Sequence, residues 1–235
     1  MQTQLPLFYI PAFQNESRLD MGEENSRHII QVLRMKKGEL LQLTDGKGHF
    51  ILAEIEEEHK KHCRVIIKKV ESAAPFSTRI TIAISLIKNA SRFEWFLEKA
   101  TEIGVSVIQP LICARTEREK FRHDRLQGIC IAAMIQSQQA WLPELREPME
   151  MSVYLQQSFN NHDLYIAHCA EGEKLGLAAQ KKTGNDRLLL IGPEGDFTNQ
   201  EIGLAMEKGF SPVSLGDTRL RTETAGVVGL MLLKI

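Results

Sequence analysis

The chain has 235 residues, 43% of them hydrophobic and 25% charged, a composition that supplies a substantial core and excludes an intrinsically disordered polymer. Its formal net charge is −1, so no global basic field draws it onto nucleic acid, and any such contact must be built locally. Length allows one or two domains.

The four cysteines, Cys63, Cys113, Cys130 and Cys169, form no Cys-x-x-Cys pair, which argues against a zinc or dithiol motif and for buried reduced thiols. No metal site is expected. The apolar stretch Leu5 to Phe13 is interrupted by Pro6 and Pro11 and lacks a basic leader, unlike a secretory signal, and no run reaches membrane-spanning length. A cytoplasmic protein is expected.

From Leu7 to about Glu71 the pattern is of short β-prone runs with one helix around Asn25 to Met35, carrying Ile29, Ile30, Val32 and Leu33. Leu40 to Leu43 and Phe50 to Ile55 flank Asp45-Gly46-Lys47-Gly48 and read as a hairpin, with Cys63 to Val70 as a third strand. Short antiparallel strands in so small a region predict a barrel, because closure protects their edges. Ser72 to Ser77 is the predicted linker, which divides the chain into residues 1–72 and 73–235.

Beyond the linker the rhythm changes. Ile80 to Ile87 predicts a buried strand, Arg92 to Ile103 an amphipathic helix stopped by Gly104, and Val105 to Cys113 another strand. A long helix from about Arg122 to Gln139 follows, then strands at Leu164 to His168, Leu188 to Ile191 and Val213 to Leu215. Alternating strands and helices imply an α/β domain with a mostly parallel sheet and a ligand site beyond the strands' carboxyl ends.

Two such ends carry unusual loops. Gly192-Pro193-Glu194-Gly195 directly follows an apolar strand, and Thr198 with Glu201 makes a capping box that starts a helix just beyond. A structural turn accounts for the same glycines. The second loop is Leu215-Gly216-Asp217-Thr218-Arg219-Leu220-Arg221-Thr222-Glu223-Thr224-Ala225, in which Thr222 is a plausible cap and Glu223 suits the positive end of a helix dipole. Arg221, beside Leu220 and a helix start, is expected to be partly buried and to need an anionic or carbonyl partner. Gly226 and Gly229 allow close packing of the terminal helix, Thr222 to Leu233.

No Gly-x-Gly-x-x-Gly follows a strand and no Gly-x-x-x-x-Gly-Lys-Ser/Thr occurs, which lowers the prior for dinucleotide and P-loop enzymes. His59, Lys60, Lys61, His62 and Arg64 fit a solvated turn better than a phosphate contact. Arg115, Arg118, Lys120, Arg122 and Arg125 are interrupted by Glu117, Glu119 and Asp124, so a surface ladder competes with an RNA contact.

Together these loops resemble the RsmE family of uridine-N3 ribosomal RNA methyltransferases, of the SPOUT class. The resemblance rests on Gly192 to Gly195 and on Leu215, Gly216 and Leu220 to Ala225, with support from Lys99 to Val105 and His28 to Arg34. One segment departs from it, since the family commonly has Glu-Gln-Ser followed by arginines where this chain has Ile135-Gln136-Ser137-Gln138-Gln139-Ala140-Trp141. No site residue is assigned there.

The resemblance implies a small PUA-like RNA-binding β-barrel over residues 1–72 and a knotted SPOUT α/β methyltransferase domain over 73–235. It also implies a homodimer that binds S-adenosylmethionine and methylates N3 of a uridine in small-subunit (16S) ribosomal RNA. The expected cofactor residues are His168, Gly192, Pro193, Glu194, Gly195, Leu215, Gly216, Leu220, Thr222, Thr224 and Ala225. Arg221 is the expected stabiliser of charge on the uracil oxygens, and Glu223 the expected proton acceptor unless it merely caps its helix. A SPOUT enzyme with another target nucleotide, or a non-catalytic RNA-binding assembly factor, fits the same residues.

Overall fold

The computed structural model describes residues 5–117, 120–181, 183 and 186–235. Arg118 and Glu119 of the charged ladder lie outside the described residues. The chain forms two compact units, one running to Pro75 and taking in Met134–Leu142, the other made of Phe76–Ala133 and Pro143–Ile235.

In the first unit the elements are β1 (Leu7–Tyr9), β2 (Arg18–Asp20), α1 (Glu23–Arg27), β3 (Leu40–Thr44), β4 (His49–Glu57) and β5 (Arg64–Ser72). They make one sheet in the order β1-β3-β4-β5-β2. Leu41 opposite Ala53 and Leu43 opposite Ile51 are all fully buried, which is the period-two alternation of a half-buried strand. Register shifts leave one extra residue in β5 opposite Leu52 and Ala53 and one in β4 between Ile55 and Glu57, which bend both strands and curl the sheet, and Phe8, Met21, Ile29 and Val65 fill its interior.

Two details depart from the expected all-antiparallel barrel. β1 pairs with β3 in parallel, because a long excursion through β2 and α1 separates them and supplies the crossover that parallel pairing needs. The helix begins at Glu23 rather than Asn25, and from His28 to Val32 it widens into a π-helical turn. There Leu33 N–H donates to the His28 carbonyl, and Arg34 at φ 57° turns the chain out of the helix. In the turn between β4 and β5, His59 and His62 stack with ring centroids 3.5 Å apart.

The second unit contains β6 (Arg79–Ser85), α2 (Ala90–Ile103), β7 (Val107–Ile112), β8 (Glu144–Leu145), β9 (Met149–Glu150) and β10 (His162–Ala167). It continues through β11 (Leu175–Gly176), β12 (Asp186–Ile191) and β13 (Ser211–Ser214). Helix α3 (His123–Gln136) precedes β8, α4 (Met151–Tyr154) follows β9, α5 (Asn199–Glu207) follows β12 and α6 (Thr222–Lys234) ends the chain. The sheet runs β11-β13-β10-β12-β6-β7-β8, with β9 also on β7. All its pairings are parallel.

Both faces are covered, so the central strands read as continuous apolar runs. Ala83, Leu188 and Leu190 pack with Ile202 and Ala205 of α5. On the opposite face a Cβ at Gly226 of α6 would come within 3.0 Å of Ile84, and one at Gly229 would run into the Leu189 side chain. Asn89 caps α2 by accepting from Ser91 N–H, and Gly104 ends it in the left-handed conformation at φ 88°. Helix α3 stops at Gln136, short of the expected Gln139, because Gln138 adopts φ 55° and Gln139 N–H folds back to the Met134 carbonyl.

Among the described residues no helix is long and apolar enough to cross a membrane. Cys63, Cys113 and Cys130 are buried, and burial pushes their thiols up to about 11, about 12 and about 11. Cys169 is exposed instead, because it lies in the loop after β10 and not in a core element.

Candidate cofactor and active site

The sheet order places three strand ends side by side. Ala167 of β10 pairs with Ile191 of β12 on one side and with Val213 of β13 on the other. The chain therefore leaves the sheet at His168, at Gly192 and at Leu215, at the carboxyl ends of three neighbouring strands, as expected for ligand sites of open parallel sheets. Between these loops lies a cavity of about 670 Å³, well within the roughly 300–1,000 Å³ of small-molecule sites.

Cross-bonds fix the three loops to one another. Asp196, held at φ 64°, accepts from Cys169 N–H at 2.8 Å and from Phe197 N–H at 2.8 Å, tying the β12 loop to the β10 loop. Thr222 Oγ1 donates to the Gly192 carbonyl at 3.1 Å, tying the β13 loop to the β12 loop. Lys174 Nζ donates to the carbonyls of His168 at 2.9 Å and Ala170 at 2.5 Å, which closes the β10 loop on itself.

Two glycines are required by this geometry. A Cβ at Gly192 would lie 3.2 Å from Phe197 N and 3.1 Å from its ring, so a side chain there would crowd the tight turn and push Phe197 aside. Gly216 sits at φ 134°, a conformation open chiefly to glycine, and its backbone bonds the Ser214 hydroxyl on both sides.

Of the residues singled out in the sequence, His168, Gly192, Pro193, Glu194, Leu215, Gly216, Leu220, Arg221, Thr222 and Ala225 line the cavity. Gly195, Glu223 and Thr224 do not. Gly195 faces the Arg115 side chain, whose Cδ would be 3.3 Å from a Cβ there. Glu223 is buried, with Oε1 at 3.6 Å from Arg92 Nε of α2 and Oε2 lacking a hydrogen-bond partner among the described residues. Successive helical residues point about 100° apart, so Thr222 reaches the Gly192 loop while Glu223 turns to α2.

Thr222 is the first helical residue, not the cap, and Arg221 holds the cap position without a side-chain cap bond. The Thr198 and Glu201 capping box is present in full. Arg221 is exposed where partial burial was expected, because the loop carries it to the rim of an open cavity. Lys174, Asp196, Asp217 and Arg219 also line the space and were not singled out as site residues. Asp217 and Arg219 lie inside the second loop read as informative and Asp196 directly follows the first, whereas Lys174 arrives from a stretch without a recognisable motif.

The charges are distributed unevenly. Arg219 and Arg221 have no hydrogen-bond or ion-pair partner among the described residues, whereas Glu194 Oε1 accepts from Lys88 N–H at 3.3 Å. Burial and the Lys174 ammonium hold the His168 imidazole below its ordinary pKa, against the pull of Asp196. The cavity thus combines backbone-lined turns, apolar walls from Ile191, Leu215 and Leu220, and cationic groups at its rim.

Residues 74–234 match the family model described as an RNA methyltransferase domain, and residues 22–68 that of an RNA methyltransferase PUA domain. The ribosomal RNA small subunit methyltransferase E of Synechocystis is 30% identical over 220 residues, 92% of this chain and 72% of that protein. A probable rRNA-methyltransferase from Porphyromonas gingivalis superposes with a TM-score of 0.91 at 40% identity, covering 98% of this chain and 97% of that one. The ribosomal RNA small subunit methyltransferase E from Neisseria gonorrhoeae, bound to S-adenosyl methionine, gives a TM-score of 0.87 at 28% identity over 98% of this chain and 97% of its own. With the matched domain spanning most of its length and the loops of its second unit enclosing one cavity, this chain belongs to the RNA methyltransferase family of ribosomal RNA small subunit methyltransferase E.

Proposed function

We propose that this protein transfers the methyl group of S-adenosylmethionine to N3 of a uridine in small-subunit ribosomal RNA. The observation that carries this reading is the single cavity formed where the loops after β10, β12 and β13 meet. Its residues fit the cofactor. Gly192 and Gly216 let the backbone approach a ligand closely, Ile191, Leu215, Leu220 and Ala225 offer apolar surface for an adenine, and Glu194 and Asp217 offer carboxylates to amino or hydroxyl groups.

When bound, the sulfonium supplies an electrophilic methyl group, so the protein is left mainly with alignment of the uracil and management of charge. Arg221, at the rim and without a partner among the described residues, is placed to stabilise negative charge on a uracil oxygen as the imide proton leaves. Thr222 holds the helix start against the Gly192 carbonyl. Glu223, behind the cavity and against Arg92, anchors α6 and is replaced as proton acceptor by solvent at the open rim. Residues 1–72 are read as a PUA-like RNA-binding domain, and residues 73–235 as the methyltransferase domain. The enzyme works as a homodimer in the cytoplasm, where its substrate assembles.

The test uses small ribosomal subunits from cells lacking the gene, incubated with protein and S-adenosylmethionine and digested to nucleosides. Mass spectrometry is expected to find 3-methyluridine. Arg221→Ala is expected to bind cofactor and to lower the turnover at saturating substrates by roughly 10²-fold or more, as for loss of one oxyanion donor. Absence of 3-methyluridine with cofactor bound favours another target nucleotide, and absence of cofactor binding favours a non-catalytic RNA-binding factor.

A further inference from the structure

The charged run after β7 is resolved by the structure into residues with different fates. Arg125 is spent on Glu94, with two hydrogen bonds of 2.9 and 3.1 Å, and the neighbouring Lys88 pairs with Glu117. Arg115 is different. Its Nη1 donates to the Gly195 carbonyl at 2.6 Å, its stem lies along Gly195, and it has no carboxylate partner among the described residues. It is exposed.

The loop that carries Arg115 is held on several sides. Cys113 N–H donates to Thr116 Oγ1 at 2.8 Å, Thr116 Oγ1 meets Ser85 Oγ at 2.8 Å, and Ala114 N–H donates to Glu201 Oε1 at 2.8 Å. Glu201 is the same residue whose other oxygen completes the capping box of α5. Arg115 is therefore a guanidinium fixed in position on the outer side of the turn whose inner residues, Gly192 to Glu194, line the cavity. A guanidinium has five N–H donors in a rigid fork, and the Gly195 carbonyl engages one of its nitrogens. The remaining donors have no partner among the described residues, and the residue as a whole is exposed.

A preoriented, uncompensated arginine is the arrangement that recognises a phosphate with two parallel hydrogen bonds. We propose that Arg115 binds a backbone phosphate of the substrate RNA beside the target nucleotide, and through Gly195 couples seating of the RNA to the loop that holds the methyl donor. This rests on the functional reading above and adds to it a substrate-positioning residue. A mere strut for the Gly195 turn needs the hydrogen bond but not the charge, and that difference makes the two roles separable.

Arg115→Gln keeps a donor for the Gly195 carbonyl and removes the charge, whereas Arg115→Lys keeps the charge. The measurements are S-adenosylmethionine affinity by calorimetry, KM for unmodified small ribosomal subunits, and the dependence of subunit binding on salt. Arg115→Gln is expected to bind cofactor within about twofold of wild type and to raise KM for subunits about tenfold. It is also expected to reduce the slope of log affinity against log salt by about 0.7–0.9, the loss of one phosphate contact. Arg115→Lys is expected to restore the slope. An unchanged slope and KM in Arg115→Gln, loss of its cofactor binding, or failure of Arg115→Lys to restore the slope overturns the proposal. If wild-type protein neither binds cofactor nor methylates subunits, the functional reading itself has failed, and the salt slope of the variants does not enter.

Discussion

At the end of β10 the His168 imidazole has both ring nitrogens buried and without partners among the described residues. Burial and then Lys174 lower its pKa below 6.5, with Asp196 opposing them. The unfolded chain takes up a proton near its ordinary value while the folded chain resists it. Stability from this group is therefore complete above the unfolded pKa of about 6.5 and is lost as pH falls toward the folded value. His168→Asn is expected to lose less of its unfolding midpoint between about pH 7.5 and about pH 5.5 than wild type does. Equal losses in the two proteins would remove His168 as the source. His168 was legible as the residue ending an apolar strand, but the Lys174 charge that helps hold it neutral was not, since that side chain returns from six residues further on.

Helix α6 lies on the sheet by way of its glycines. A Cβ at Gly226 would meet the Phe96 ring at 2.5 Å and Ile84 at 3.0 Å, while one at Gly229 would meet chiefly the terminal Cδ2 of Leu189. An aromatic ring wedged between helices cannot step aside as a leucine methyl can. Gly226→Ala is expected to destabilise the protein by up to about 2 kcal/mol, an overpacking cost of about 1–3 kcal/mol offset by the roughly 1 kcal/mol gained in helix propensity. Gly229→Ala is expected to cost less. Urea unfolding of the two variants checks the order, and a Gly226→Ala protein as stable as wild type would contradict the packing. The two glycines were readable as a close-packing stripe, yet their partners were not, because Phe96 lies in α2 and Leu189 in β12. The same limit applies to the turn that follows α1, whose apolar spacing suits an α-helix although residues His28–Val32 are π-helical. In that turn Ile29 is fully buried, and the chain leaves it at Arg34, φ 57°.

Across the whole molecule, the cavity belongs to the second unit alone, so cofactor binding is expected to stabilise that unit directly. At a free S-adenosylmethionine concentration 100 times Kd the gain is about 2.7 kcal/mol. Hydrogen exchange is expected to slow most in β10, β12 and α6, whose ends carry the loops, and no slowing there would place the cofactor elsewhere. The sequence by itself determined what short-range chemistry dictates. The strand and helix rhythm, the Gly104 stop, the Thr198 and Glu201 capping box and the two glycine-bearing loops all follow from periodicity and backbone preference within a few residues. Only the tertiary structure decided that β10 lies between β12 and β13, that Thr222 braces Gly192 while its neighbour Glu223 faces Arg92, and that Arg115 meets Gly195 across 80 residues of chain. Adjacency of that kind is chosen by burial summed over both faces of an eight-stranded sheet, a quantity to which no local window of sequence has access.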